Sequence, residues 1–267
     1  MRACWLACVV GMAMTAPLAQ AQSGSVATGG GVLSNGGVIH TLVAEPVTGE
    51  PYSAMQVHKT VRRLEDGTQV SHQGHHFVAR DSTGRVRVEI RTDKGKGGQP
   101  DPATVFVSDP VAHTLTTWST GQEAKHVATV VKLSGEQKTA RRPVETAKED
   151  SSRPQPVVTK EKIGVQMLNG LAVTDVKTTT VVPAGRSGND APITKTQEVW
   201  TSDEMKLVMK EEWTDPRSGV RTLELSQFSR AEPDAALFHA PKGYEVKDMK
   251  QTLREVAQKL NEAANSE

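Results

Sequence analysis

Val165-Gln166-Met167-Leu168-Asn169-Gly170-Leu171-Ala172-Val173 sets apolar residues on both sides of an Asn-Gly pair. Val165 and Met167 before the Asn-Gly pair, and Leu171 and Val173 after it, recur with a period of two. Asn and Gly tolerate the positive φ angles of a type I′ turn, so the stretch predicts a two-residue β-hairpin. Its second arm runs on through the β-branched residues Thr178-Thr179-Thr180-Val181-Val182. Three more strand-like segments follow: Thr194–Trp200, Met205–Trp213 and Gly219–Phe228. Thr201-Ser202-Asp203-Glu204 and Asp215-Pro216-Arg217-Ser218-Gly219 join them and have turn composition. Asp203 and Glu204 therefore read as turn residues rather than as a catalytic carboxylate pair. Together these segments predict a meander.

The upstream half follows the same rule. Met55, Val57 and Val61 alternate with polar residues, and Val86, Val88 and Ile90 alternate with Arg85, Arg87, Glu89 and Arg91. Val105 and Val107 begin a further strand. The predicted fold is mainly β: a curved antiparallel sheet or open (half) β-barrel over residues 51–246, with a C-terminal amphipathic helix over 247–267. Met249, Leu253, Val256, Leu260 and Ala263 fall on one face of that helix. Aromatics are only 4% of the chain, which predicts a thin core of Val, Leu, Ile and Met under a sheet with one wet face.

The ends predict export. Arg2, the apolar run 3–18 and Ala19-Gln20-Ala21 have the three parts of a secretory signal, placing a signal peptide at 1–21. The run is short for a bilayer span. Residues 22–50 read as a flexible Gly-rich lead. Residues 134–162, charged and holding Pro143, Pro154 and Pro156, read as a disordered loop. The only cysteines, Cys4 and Cys8, leave with the signal, so the expected periplasmic or secreted chain has no disulfide or thiolate chemistry. Lys+Arg number 32 against 31 Asp+Glu, a balance that argues against nucleic acid as partner. No nucleophile elbow, zincin motif or phosphate loop is present, so the sequence implies a non-enzymatic chain with no cofactor.

Three groups of residues are candidates for function. His72 and His76 share one strand face, His75 points away, and hairpin pairing would bring His58 beside the pair. Two or three imidazoles on one face suit zinc or copper, and equally suit solvated surface histidines. Trp118, Trp200 and Trp213, with Phe238 and Tyr244, are candidate ligand-binding aromatics, and each tryptophan also reads as core. Arg80, Arg85, Arg87 and Arg91 form a basic strand side, suited to anionic head groups or simply to water.

Ser108-Asp109-Pro110-Val111-Ala112, Trp200 ahead of a Ser-Asp/Glu turn, and the segment 228–246 with Pro233-Asp234, Leu237-Phe238 and Pro241-Lys242-Gly243-Tyr244 resemble a set of uncharacterised exported bacterial envelope proteins. Through them the chain is similar to the periplasmic lipoprotein-carrier (LolA-like) open β-barrel superfamily. The resemblance covers roughly residues 52–246. It implies a curved sheet whose concave face holds a hydrophobic or lipidated ligand; the alternative, a structural or regulatory envelope protein, would bind another envelope protein through its sheet edges or long loop. The resemblance carries over no functional residue.

Overall fold

The computed structural model describes residues 46–91, 102–121, 124, 126–133 and 154–251. The predicted alternation becomes twelve strands: β1 (Tyr52–Arg63), β2 (Gln69–Arg80), β3 (Val86–Arg91), β4 (Ala103–Asp109), β5 (Thr114–Ser119), β6 (Val127–Lys132), β7 (Val157–Leu168), β8 (Leu171–Val182), β9 (Ile193–Ser202), β10 (Leu207–Asp215), β11 (Gly219–Ser229) and β12 (Glu245–Asp248). They form a single open sheet in the order β12-β6-β5-β4-β3-β2-β1-β11-β10-β9-β8-β7. Two meanders, β1–β6 and β7–β11, meet at the central β1–β11 pair.

The Asn-Gly hairpin forms as its residues predict. Asn169 and Gly170 have φ of 49° and 78°, and Leu168 faces Leu171 across the turn. The tip then reaches back over the sheet. Pairing of β10 with β11 ends at Lys210↔Glu224, and just past that end Asn169 Nδ2 donates to the Leu225 carbonyl at 2.8 Å. A second tie crosses the same end: Arg80 Nη2 donates to the Met205 carbonyl at 2.7 Å, while its guanidinium lies over the Tyr52 ring. The sheet is thereby curled, with the β7–β8 and β9–β10 turns brought onto β1, β2 and β11. Tyr52, Ala54, Val78, Leu171, Met205 and Leu225 belong to the core inside this curl. Each large side chain fully buried there contributes about 2 kcal/mol.

The opposite face carries a second core of Ala79, Val105, Val107, Trp118, Ala128 and Phe238. Its cover is the chain leaving β11. Asp234 caps a 3-10 turn, Ala235–Phe238, by accepting from the Ala236 N–H at 2.9 Å. Arg87 Nη1 donates to the Leu237 carbonyl at 2.7 Å, and Arg85 sits over the Phe238 ring. The Tyr244 hydroxyl donates to the Ser119 carbonyl at 2.8 Å. The strap then enters β12, which runs parallel to β6.

Several expectations are corrected by this arrangement. At β3 the expected wet face is covered: Arg87 is 8% exposed beneath the strap. On β1 the core face is Tyr52-Ala54-Gln56, while Met55 and Val57 lie half-buried on the other side. Val157–Lys162, assigned to the charged loop, begin β7, and Lys247 and Asp248, assigned to the terminal helix, end β12. A helix starts at Met249 and is described as far as Gln251. The signal peptide, most of the Gly-rich lead, residues 134–153 and the remainder of that helix lie outside the described residues.

Candidate functional site

Strand register places a band of polar side chains on the inner face, next to the sealed core. Gln56 faces His76 on β2 and Leu225 on β11. One step along, His58 faces Gly74 and Leu223, and Leu223 faces Glu211 on β10. The next step brings His72, Thr60, Arg221, Trp213 and Gln197 into line across β2, β1, β11, β10 and β9. Cross-strand partners project to the same side of a sheet, so these residues share one face.

The histidines meet as the sequence suggests. The His58 and His76 rings are 4.5 Å apart, and His58 Nε2 donates to Gln56 Oε1 at 2.9 Å. His72 lies on the diagonal beyond Gly74. Among the described residues, no three His, Cys, Asp or Glu side chains stand close enough to hold a metal ion. Burial, helped by His76, Arg221 and His75, pushes His58 down to about 4. Burial also lowers His76. Both rings are therefore neutral near pH 7. Gly74 has open space where a Cβ would stand, which leaves a notch beside the His58 ring.

Glu211 sits about 10 Å from His58, two strand spacings away. It is 3% exposed and accepts from Gln197 Nε2 at 2.5 Å. Burial pushes its carboxyl up to about 7, against the opposing pull of Gln197 and Arg221. Arg221 lies over the Trp213 ring, 4.1 Å from its centroid. Gln56 Nε2, His76 Nδ1 and Glu211 Oε2 are buried without a hydrogen-bond partner among the described residues. A buried polar atom left so costs roughly 1–3 kcal/mol, and a ligand group that satisfies it recovers part of that cost.

The predicted aromatics do not gather in one place. Trp118 and Trp200 are 3% and 6% exposed and sit in different cores. Phe238 and Tyr244 belong to the strap on the outer face. Of the five, only Trp213 lies in the polar band and stays half-exposed. Sequence reasoning missed Gln56, Glu211, Gln197 and Arg221. Each looks like an ordinary polar residue of a strand, and only the register of five strands brings them together.

No protein-family model matches the chain, and no curated protein matches it. Solved structures do resemble it. They include an uncharacterised conserved protein from Thermus thermophilus, at 14% identity over 74% of this chain and 90% of that one, TM-score 0.37. They include MucB, at 14% identity over 78% of this chain and 63% of that one, TM-score 0.39. A putative outer membrane lipoprotein-sorting protein domain from Vibrio parahaemolyticus matches at 12% identity over 70% and 89%, TM-score 0.27. The class the fold defines is a single open, mainly antiparallel sheet. At these scores the matches place no ligand and no residue role, and function is argued from this chain's own side chains.

Proposed function

We propose that the chain is a non-enzymatic binding module of the cell envelope, working in the periplasm, whose ligand lies on the inner face of the curled sheet. The ligand class is a lipid, a lipoprotein or an envelope polymer that offers both an apolar and a polar part. The observation that carries this reading is the change of character along the inner face. A sealed apolar core gives way to a band of neutral imidazoles, the Gly74 notch and the half-exposed Trp213–Arg221 pair. An apolar group held against the half-exposed Trp213 ring gains about 25 cal/mol per Å² buried. Its polar end would meet the half-buried His76 and Arg221.

Gly74 provides the test. Its φ is not in the left-handed region, and an added side chain meets nothing within 4 Å, so Gly74→Val fills the notch without strain. Native mass spectrometry of the protein purified from periplasm should show a co-purifying ligand. Gly74→Val should lose it while keeping the urea midpoint of the parent, and Trp213→Ala should lose it with a lowered midpoint as its contact with Arg221 goes. A ligand-free mass in every preparation overturns the reading.

A second reading, in which the module binds another envelope protein, is favoured by a separate observation at the sheet edge.

A further inference from the structure

Half of the exposed large apolar side chains among the described residues lie on one strand. Val157, Val158, Ile163, Val165 and Met167 of β7 are 51–65% exposed. β7 is also an edge strand of twelve residues, paired on one side with β8 and on the other with no strand among the described residues. The opposite edge, β12, has four residues. A long apolar edge offers unpaired N–H and C=O groups to any extended chain that can lie beside it.

The charges on β7 narrow what that chain can be. Glu161 faces Lys177 on β8, and Lys177 pairs with Glu198 at 2.8 Å. Lys160 and Lys162 lie on the other face, opposite Thr178 and Val176, with no ion-pair partner among the described residues. In the register centred on Glu161 a second copy is a poor fit. Antiparallel self-pairing about Glu161 sets Glu161 against itself and Lys160 against Lys162 of the other copy, and like charges directly opposite destabilise a strand pair.

We infer that β7 is a strand-addition site for an extended segment of another protein. That segment carries carboxylates at alternate positions facing Lys160 and Lys162, with apolar residues on either side. Main-chain hydrogen bonds hold it, and the alternate side chains select it. The site stands apart from the inner-face band and does not depend on the ligand proposed there.

The probe is a fluorescein-labelled peptide, Thr-Val-Thr-Glu-Val-Glu-Val-Thr-Val, titrated against the full chain by anisotropy. A control peptide has Lys in place of both Glu. The acidic peptide should bind more tightly than the control, and amide exchange of β7 should slow on binding. The double variant Lys160→Glu/Lys162→Glu, whose altered groups are exposed, should keep the parent's urea midpoint and weaken the acidic peptide roughly tenfold. It should also reverse the preference between the two peptides. Val165→Lys/Met167→Lys should weaken both peptides. Three results overturn the inference: equal affinity of parent and charge-reversed protein for the acidic peptide, protection in the free monomer of the β7 amides that point away from β8, or a dimer that must dissociate before peptide binds.

Discussion

Replacing Glu211 with Gln keeps the shape of the inner face and removes one ionisation. In the fold the carboxyl titrates at about 7; in the unfolded chain it returns to 4.5. A raised carboxyl favours the fold while protonated. Its contribution is fully present below pH 4.5, is lost as pH rises towards 7, and is absent above that. The shift of about 2.5 units corresponds to about 3 kcal/mol at 1.36 kcal/mol per unit. His58 acts in the opposite direction. Its folded pKa lies at about 4 against 6.5 unfolded, so stability from the neutral ring is present above pH 6.5 and is lost as pH falls towards 4. The two slopes oppose each other between pH 4.5 and 6.5, and His76, also lowered by burial, adds to the His58 side. Urea denaturation of parent and Glu211→Gln at half-unit steps from pH 4.5 to 8 separates them. The variant's stability relative to the parent should rise by about 3 kcal/mol over that range, most of it between pH 5 and 7. A difference that stays constant within about 1 kcal/mol refutes the argument that burial, rather than Arg221, governs this carboxyl.

Two further substitutions probe the frame. Gly219 has φ +90°, and a Cβ there would stand 2.1 Å from the Val61 carbonyl oxygen, so Gly219→Ala should cost several kcal/mol or prevent folding. Gly74→Ala, with open space, should change the thermal midpoint by no more than a degree or two on the same scan. Asn169→Gly keeps the turn but loses the donor to Leu225, and should cost about 1 kcal/mol; Asn169→Ala adds the strain of a positive φ and should cost about 2. Equal urea midpoints for the two Asn169 variants would count against the turn argument.

The hairpin, the downstream meander and the mainly β class were legible in the sequence because they rest on local rules: Asn-Gly turn chemistry and a period of two. The core face of β1 was not. Met55 and Val57 are the more apolar choice by composition, but Gln56 is buried because the β7–β8 tip folds back over Leu225, its partner. Arg87 read as a wet residue because nothing in β3 announces a strap arriving from residue 237. Lys160-Glu161-Lys162 suggested a loop, yet an edge strand tolerates charges that a central strand does not. Lys247 and Asp248 fit the helical spacing, and pairing with β6 overrides it. Of the candidate site, the His58–His76 approach followed from hairpin geometry. The Glu211–Gln197 and Arg221–Trp213 pairs depend on alignment across strands far apart in sequence.

The central seam between the two meanders has a consequence for assembly. Within each meander a strand finds its neighbour after two to eleven residues. β1 waits for β11, with about 155 residues between the end of one and the start of the other. Closing a loop of that length costs about 3 kcal/mol more entropy than closing one of five residues, and nothing repays it until the seam zips. During synthesis the N-terminal meander therefore emerges with its first strand bare on one side until nearly the whole chain is out. This junction sets the pace of folding, and here a holdase or an intruding strand would most readily intercept the chain.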